Sequence, residues 1–558
     1  YHCVARKKDG TLWSWGRNDS GEIGDNTVVD RSSPVQISGS WNQVFAGANR
    51  TYAKNTSNNL FAWGGAPQGQ LGDNTVVSKS SPVQIVLGSD KNFTVLSVGG
   101  HTGGITDSNQ LWIWGVNDFG QLGDGTTANK SSPIQISGSW DSVSTNDYDG
   151  YQATDRGGHT IAVSNTGGLY AWGHGTHGST GFKTTAYNVN SPVQILWGSN
   201  TGFDVANTSF KIALSGEENS GAIDSLGKLW TWGRNAYGSL GQQVHGQAGD
   251  FYRSEPTVVG NTLHTFSSIA KLSADAIGCL AIHTNGQGYG WGINDSGAIG
   301  IQNAFQQSSP IQIGLNTHWA YPISWKQLAH SRYHSAGITQ LSGNTVDSLM
   351  TWGANDDGQL GDKSIVGRQS PVLVEAAGAS NFISVGVGFK HTVAVTSDNK
   401  VYSWGNNAFF SSMYTGAQRS SPVSINHNTS FGQVPQAITK VVCGPHQTAL
   451  IANSSYKGYV YTFGDNRSGQ LGRMGITDES FSHNALNHDN TRRGQQAFSL
   501  TPESGSTGLN SAVYGRGVPD GGNSIYYDFH AANITDDTQW SNWRNSYGYQ
   551  KRNEFDIE

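Results

Sequence analysis

The sequence predicts an all-β fold, a β-propeller of four-stranded blades, and three observations support this prediction. A Trp-Gly step recurs every 48 to 61 residues along most of the chain. Short segments of alternating apolar residues surround each step, and glycines and a Ser-Pro pair follow it. A repeat of this length, with four strand-like segments and nothing helical between them, is typical of propeller blades.

An aromatic residue before a glycine ends the third strand-like segment of each repeat. The nine copies are Trp15, Trp63, Trp114, Trp172, Trp232, Trp291, Trp352, Trp404 and Phe463. A second large apolar residue lies two positions earlier, as Trp112 does before Trp114. Side chains at i and i+2 share one face of a strand. The pattern therefore predicts that the repeated aromatic residue is buried between neighbouring blades.

Glycine recurs six and nine residues after the aromatic residue. The copies at the ninth position include Gly24, Gly72, Gly123, Gly241, Gly361 and Gly472. A glycine at a fixed offset indicates a backbone site where a side chain would clash or where φ must be positive. The following Ser-Pro pair is predicted to open the fourth strand, because a proline at a strand start costs no ladder hydrogen bond.

The number of blades stays open at this point. The chain has nine aromatic strands but only eight proline strands. We favour a single ring of eight or nine blades, because no linker interrupts the period. A seven-blade ring with two further units is the alternative. The chain begins in the middle of a repeat, which suits a ring closed by strands from both termini.

The chain divides into two predicted regions. Residues 1–472 carry the repeat and form the propeller. Residues 473–558 lose the repeat but keep aromatic residues such as Trp540 and Trp543. These aromatics are too many for a solvated linker, so this segment is predicted to dock onto or anchor to something.

Composition excludes several classes of protein. The net charge is −6 and no basic run occurs, which argues against binding of nucleic acid. The sequence contains no run of about 18 apolar residues, which is the length that a membrane-spanning helix requires. The three cysteines lie in separate repeats and predict neither a disulfide framework nor a zinc cluster. The expected partners are proteins, including a possible second copy of the chain.

The motifs resemble a known family. The run G-x-x-H-T, then L-x-x-W-G-x-N-x-x-G-Q-L-G-D-G, then S-x-P is similar to the regulator-of-chromosome-condensation repeat, and it covers residues 1 to about 472. The resemblance implies a propeller but no single activity, since the family includes nucleotide-exchange factors, an enzyme inhibitor and binding modules. Exchange activity, as the family implies it, accompanies chromatin binding through a basic tail. This mildly acidic chain makes that role less favoured.

Histidines recur just before the second strand-like segment. His2, His101, His159 and His391 each lie 13 residues before a Trp, and His334 and His446 occupy related turns. Imidazoles at one repeat position could form a metal-binding ring. The favoured interpretation is that each histidine bonds backbone groups of its own repeat. Other repeats have Arg50, Asn219 and Gly278 at this offset, which breaks a ring.

Two acidic patterns raise the question of further sites. Asp25, Asp73, Asp124 and Asp362 follow glycines, and ordinary Asx-turn capping is favoured over calcium for them. The acidic pair Glu217-Glu218 lies in a blade turn, where sequence neighbours cannot face each other across a cleft. No catalytic motif occurs. We therefore predict no enzyme, no catalytic or metal-binding residue and no cofactor.

The predicted function is attachment. Residues 21–37 nearly duplicate residues 69–85, and this kind of chain resembles propellers of bacteriophages and environmental bacteria. We expect a structural or attachment protein at a virion surface, as a tail or head appendage, that binds neighbouring subunits or a host receptor. The alternative is a secreted, extracellular bacterial binding module such as an inhibitor or adhesin. The segments expected to bind are 145–158, 243–253, 302–308, 314–324 and 473–500.

Overall fold

The structure, a computed structural model, contains nine β-sheets that follow one another along the chain. Between residues 2 and 464 it describes every residue except 8, 48, 88–91, 147–157, 184–187, 197–207, 217, 236–237, 243–251, 261–264, 272–277, 315–322, 341–346, 377–380, 407–417, 426–436, 445–446 and 454–457. Beyond residue 464 it describes 498–499, 509–514 and 554–556.

The first three sheets hold the N-terminal repeats. The first sheet comprises β1 (His2–Lys7), β2 (Leu12–Gly16), β3 (Arg31–Ile37) and two strands from the C-terminal segment, β36 (Leu509–Tyr514) and β37 (Glu554–Asp556). The second comprises β4 (Trp41–Ala46), β5 (Arg50–Asn55), β6 (Leu60–Gly64) and β7 (Lys79–Gln84). The third comprises β8 (Phe93–Val98), β9 (His101–Thr106), β10 (Leu111–Gly115) and β11 (Lys130–Ile136).

The middle three sheets have the same order. The fourth comprises β12 (Trp140–Thr145), β13 (His159–Ser164), β14 (Leu169–Gly173) and β15 (Val189–Gln194), with a single 3₁₀ turn at Thr176–Gly178. The fifth comprises β16 (Phe210–Ser215), β17 (Asn219–Asp224), β18 (Leu229–Arg234) and β19 (Tyr252–Val258). The sixth comprises β20 (Phe266–Lys271), β21 (Cys279–His283), β22 (Gly288–Gly292) and β23 (Gln307–Gln312).

The last three sheets complete the series. The seventh comprises β24 (Ser324–His330), β25 (His334–Gln340), β26 (Asp347–Gly353) and β27 (Arg368–Leu373). The eighth comprises β28 (Phe382–Val387), β29 (His391–Thr396), β30 (Val401–Asn406) and β31 (Gln418–Ile425). The ninth comprises β32 (Ala437–Cys443), β33 (Gln447–Asn453), β34 (Gly458–Gly464) and β35 (Phe498–Ser499).

These sheets are the blades of a β-propeller, and the predicted fold class is confirmed. The second to ninth blades are antiparallel meanders in chain order, and the first strands of neighbouring blades pack side by side in most of them, as β12 does with β16 and β28 with β32. First strands therefore lie closest to the propeller axis. The blade count is nine, the upper of the two numbers favoured from the sequence, and the seven-plus-two arrangement is not adopted.

The C-terminal segment contributes strands to two blades. β35 is the fourth strand of the ninth blade, and β36 pairs with β1 as the inner strand of the first. β37 pairs with β36 as a fifth strand of that sheet. The boundary at residue 472 thus marks the end of the sequence repeat, while strands beyond it join the propeller. The docking or anchoring role of 473–558 stays a prediction.

The serine-proline pair lies inside the fourth strand rather than at its start, contrary to expectation. In the third blade, Ile113 pairs with Ile134, but Gly115 pairs with Lys130, so the register shifts between them. Pro133 lies within this shift, where the ladder is interrupted and a missing N–H group is tolerated. The same register shift occurs between β2 and β3 of the first blade and between β6 and β7 of the second.

The hydrophobic core lies between blades. One cluster joins Val4, Leu12 and Ile37 of the first blade to Trp41 and Trp63 of the second. Equivalent clusters join the sixth to the seventh blade, the seventh to the eighth and the eighth to the ninth. All nine repeated aromatic residues are at most 2% exposed, which confirms the prediction of their burial. No helix among the described residues could cross a membrane.

Candidate functional site: the turn face of the propeller

The repeated turns lie on one face of the propeller. In an antiparallel meander, the connection from the first to the second strand lies at the same end as that from the third to the fourth. We call this end the turn face, and we call the connection from the third to the fourth strand the glycine turn. The histidines begin second strands and the Trp-Gly steps end third strands, so both lie next to this face.

Seven of the repeated tryptophans join their blade to the preceding one. In each, the indole Nε1 donates to a backbone carbonyl in the preceding blade's glycine turn, at 2.8–3.0 Å. The pairs are Trp63 with Glu22, Trp114 with Gln70, Trp172 with Gln121, Trp232 with Ser179, Trp291 with Ser239, Trp352 with Ala298, and Trp404 with Gln359.

A hydroxyl group shares this carbonyl. The residue opposite the tryptophan in the second strand is Thr or Ser in most blades, as in the pairing of Thr160 with Trp172. Thr160 Oγ1 donates to the carbonyl of Gln121 at 2.8 Å, and Thr51, Ser220 and Thr392 make the same bond in their blades. We call this group the junction hydroxyl.

Five histidines reach the junction hydroxyl of the next blade through Nε2, at 2.7–3.0 Å. The pairs are His2 with Thr51, His101 with Thr160, His159 with Ser220, His334 with Thr392, and His391 with Thr448. The prediction that these rings bond backbone groups of their own repeat is wrong for Nε2. Its partner is a side chain 49 to 61 residues further along, because adjacent blades face each other here.

Two junctions supply a different group at the same place. Arg50 replaces the histidine of the second blade, and Tyr52 Oη lies 3.0 Å from the junction hydroxyl of Thr102 instead. Gly278 replaces the histidine of the sixth blade. There His330, from the seventh blade, has Nδ1 2.6 Å from the Ser335 hydroxyl. A Cβ on Gly278 would lie 3.3 Å from His330 Nε2, so this imidazole lies against the position that lacks a side chain.

The histidines are thus used to join blades. Among the described residues, no group of three or more His, Cys, Asp or Glu side chains could hold a metal ion. Burial lowers the pKa of His334 to about 3, so this ring is neutral at ordinary pH. His446 lies outside the described residues.

The glycine nine residues after the aromatic residue leaves room for the next tryptophan. A Cβ on Gly24, Gly72, Gly123 or Gly361 would lie 2.5–2.7 Å from the indole Nε1 of the following blade. On Gly241 the nearest atoms would be Val259 Cγ1 at 2.9 Å and Trp291 Nε1 at 3.0 Å. All five have positive φ, so conformation and space both require glycine. Gly472 lies outside the described residues.

A buried asparagine holds the outer part of the glycine turn. In the third blade, Asn117 Nδ2 donates to the carbonyls of Thr126 and Ala128, both at 3.1 Å. Its Oδ1 accepts from Leu122 N at 2.9 Å. Asn18, Asn294 and Asn355 form the equivalent bonds in the first, sixth and seventh blades. The second blade has Ala66 at this position.

The aspartates of these turns cap them, as expected. Asp124 Oδ1 accepts from Thr126 N at 3.0 Å, and Lys130 Nζ lies 2.8 Å from Oδ2. Burial opposes ionisation, but the bonds from Lys130 and Thr126 outweigh it, so the pKa of Asp124 lies below its ordinary value. Asp25, Asp73 and Asp362 make the same Asx-turn bonds and ion pairs.

The tips of the glycine turns expose large apolar side chains that the sequence analysis did not identify. Seven of them are 58–76% exposed: Val28 and Val29, Val76 and Val77, Phe305, and Ile365 and Val366. They occupy equivalent positions in the first, second, sixth and seventh blades. The third blade has Thr127 and Ala128 instead. The signal that could have revealed them is an aliphatic pair inside an otherwise polar turn.

The remaining candidate residues are structural. Glu218 is buried and forms an ion pair with Arg234, while Glu217 lies outside the described residues. Cys3 and Cys279 are buried opposite Trp15 and Trp291, in the position of the junction hydroxyl. All three cysteines, including Cys443, are free thiols.

Of the five predicted binding segments, only 302–308 is described throughout, and it contains the exposed Phe305. Residues 147–157, 243–251, 315–322, 473–497 and 500 lie outside the described residues. The described strands on either side of 145–158, 243–253 and 473–500 end or begin at the turn face. The described strands on either side of 314–324 end and begin at the opposite face.

The fold and these junctions define a β-propeller whose repeated blades are joined by hydrogen bonds between neighbours. The chain belongs to the RCC1-like domain family. The model of that domain matches residues 89–431, more than half of the chain. A model of the regulator of chromosome condensation (RCC1) repeat matches residues 9–53. The resemblance noted in the sequence is therefore confirmed for the family.

Relatives in plants and mammals share the repeat. The chain is 27% identical to the ultraviolet-B receptor UVR8 of Arabidopsis thaliana over 442 residues, 76% of this chain and 90% of the receptor. It is 27% identical to the human E3 ubiquitin-protein ligase HERC2 over 56% of this chain but only 6% of the ligase. It is 25% identical to the mitochondrial RCC1 domain-containing protein RUG3 of Arabidopsis thaliana, over 64% and 76% of the two chains.

Solved structures resemble the chain in fold only. Human WBSCR16 aligns with a TM-score of 0.43 and 18% identity, covering 71% of this chain and all of that one. Yeast RCC1 (Prp20), solved bound to Kap60, aligns with a TM-score of 0.42 and 16% identity, covering 79% and 88%.

Proposed function

We propose that the chain is a non-enzymatic protein-binding module that uses the turn face. The observation that carries this proposal is the recurrence of exposed aliphatic side chains at equivalent turn tips. Large apolar groups seldom cluster on a soluble surface without a role in binding. In the first, sixth and seventh blades the buried asparagine fixes the loop that presents them, so little ordering is needed on binding.

The charges around the tips favour a protein partner. Each of the first, second and seventh tips is flanked by an Asp paired with an Arg or Lys, so the apolar groups are surrounded by locally balanced charge. An apolar centre with a polar, neutral rim is the composition of protein interfaces. Nucleic acid would require a surplus of cations instead.

The experiment compares two faces of the same molecule. One variant changes four turn-face residues to Ser: Val28, Val29, Val76 and Val77. The control variant changes Val86, Leu196 and Leu226 to Ser, and these side chains are at least as exposed, on connections at the opposite face. Partners captured by the unaltered chain are identified by mass spectrometry, and their affinities for both variants are measured. We expect the turn-face variant to bind at least about tenfold more weakly, or about 1.4 kcal/mol. Equal binding by both variants would refute the proposal.

A place of action at the surface of a virion is a separate part of the proposal. Virion attachment was predicted from the sequence, and the plant and mammalian relatives give it no support. Mass spectrometry of purified particles against culture supernatant tests it. Absence from particles would remove the virion role and leave binding at the turn face intact.

A further inference from the structure

The junction between the seventh and eighth blades contains a titratable group in its interior. His334 is wholly buried, and its Nε2 lies 2.8 Å from Thr392 Oγ1 of the next blade. We propose that this junction is acid-labile, holding its two blades together only while the imidazole is neutral. The proposal is independent of the function assigned to the turn face.

Neighbouring acceptors determine where the proton sits. Thr392 Oγ1 lies 2.8 Å from the carbonyl of Gln359, and a carbonyl can only accept. The hydroxyl therefore donates its single proton to Gln359 and accepts from the imidazole. His334 carries its proton on Nε2, and Nδ1 holds the lone pair. Trp404 Nε1 donates to the same carbonyl at 2.8 Å, which fixes the arrangement further.

A second proton would have to enter at Nδ1, which faces the seventh blade's own turn. Ser331 Oγ lies 3.4 Å from Nδ1 and donates to the backbone carbonyl of His334 at 2.9 Å. That long contact offers little stabilisation to a new N–H group. An imidazolium here would be a buried cation. Burial lowers the pKa of His334, because it outweighs the backbone groups of Phe389 and His391 that favour the charged ring.

The charged and titratable groups on the packed elements are balanced. Arg332 and Tyr333 lie on the same turn, Asp356 and Asp357 on the glycine turn, and Lys390 beside His391 on the eighth blade. Lys390 Nζ pairs with Asp357 at 2.9 Å, which raises the pKa of that lysine. Two cations face two carboxylates, so this set supplies no surplus negative charge to hold a protonated ring.

The sign of the pH dependence follows. The pKa of His334 is about 3 in the folded chain, against an ordinary value near 6.5. Between these two pH values, the His334 imidazole is therefore protonated in the unfolded chain but neutral in the folded chain. Stability is fully present above about pH 6.5 and is lost as the pH falls towards 3. Between pH 7 and pH 5, this group alone should raise the equilibrium constant for unfolding about 25-fold.

Urea unfolding of the full chain at pH 7 and pH 5 tests the proposal. The His334→Gln variant keeps an N–H donor but cannot titrate, so its unfolding constant should rise about 25-fold less than that of the unaltered chain. The control variant His283→Gln, altered at the partly buried last residue of β21, should keep the rise that His334 contributes. An equal rise in all three chains would overturn the proposal.

A second measurement covers the case in which His334→Gln does not fold. Deuterium exchange at the imidazole C2 position, read by mass spectrometry, gives the pKa of His334 in the unaltered folded chain. A value below about 5 supports the proposal, and a value near the ordinary 6.5 overturns it.

Discussion

The inner and outer sides of one glycine turn differ in whether they leave room for a side chain in place of glycine. In the third blade, Gly123 and Gly125 both have positive φ, at 76° and 80°. A Cβ on Gly123 would lie 2.7 Å from Trp172 Nε1, whereas on Gly125 the nearest atom would be Ser191 Oγ at 3.9 Å. A side chain at the inner position would clash with the next blade, whereas the outer position has room for a Cβ and contacts the next blade through hydrogen bonds between the backbone of Gly125 and Asn190.

The difference extends around the ring. On the inner side, a glycine faces the next tryptophan in the first, second, third and seventh blades alike. On the outer side, the same turns carry Val-Val, Thr-Ala or Ile-Val at their tips. Contact with the next tryptophan therefore constrains the inner side of the turns, while the tips on the outer side can vary in sequence, as a recognition surface requires.

The largest effect is expected on the inner side, from Trp114→Ala. Trp114 is fully buried against Phe93 and donates to the Gln70 carbonyl. Loss of this side chain should lower the free energy of unfolding by about 3–5 kcal/mol in urea titrations. The control is Trp112→Ala, a partly buried tryptophan in the same strand, which should cost less. Equal losses would show that the junction is not the dominant contact.

The two glycines of the same turn give the sharpest test. Gly123→Ala adds both an unfavourable φ and a clash with the Trp172 indole, and should destabilise by about 2–5 kcal/mol. Gly125→Ala adds only the unfavourable φ and should cost about 1–2 kcal/mol. Thermal unfolding of both variants measures the difference. If Gly125→Ala is as damaging as Gly123→Ala, the distinction between inner and outer sides fails.

Features set by the period could be predicted from the sequence. The aromatic strand, the burial of residues such as Trp172 and the need for glycine at Gly123 all follow from positions that recur in most repeats. Each depends on the local alternation of strands and on a fixed contact with the next copy. The family followed from the same motifs.

Features that depend on ring geometry could not be predicted. The partner of His101 lies 59 residues away on another blade, and no local pattern identifies it. A comparison of repeats would have shown a hydroxyl or a thiol directly after the histidine position, as at Thr102 and Cys3. Ring closure is the exception, because the start of the chain in mid-repeat predicted a blade completed from both termini, and β36 lies beside β1. The segment that supplies β36 and β37 lacks the repeat, so periodicity did not locate these strands.

A smaller effect should come from the junction hydroxyl. Thr160→Val keeps the shape but removes the group that accepts from His101 and donates to Gln121. The imidazole N–H is then buried without that acceptor, at a cost of about 1–3 kcal/mol in urea unfolding. Thr94→Val is the matched control, at an exposed residue whose hydroxyl donates to the Ile105 carbonyl at 3.2 Å, and should stay within about 0.5 kcal/mol. A loss no larger than that of the control would contradict the assigned role of the hydroxyl.

The smallest effect is expected on the outer side, from Asp124→Asn. The variant keeps an oxygen for Thr126 but loses the ion pair with Lys130, whose side chain is 28% exposed. Ion pairs near the surface contribute about 0.2–1 kcal/mol, so the loss at pH 7 should fall in that range.

The pH dependence of this loss gives its sign. Because the pKa of Asp124 is lowered in the folded chain, its contribution is present above the ordinary value of about 3.9 and disappears as the pH falls through the folded value. Urea unfolding from pH 7 to pH 3 should show the deficit shrinking in acid, and 1 M salt should reduce it at pH 7. Asp118→Asn makes the same charge change at an exposed position of the same turn and should be nearly silent. A deficit independent of both pH and salt would mean that Asp124 holds the turn by its hydrogen bonds alone, and that charge contributes nothing to the outer side.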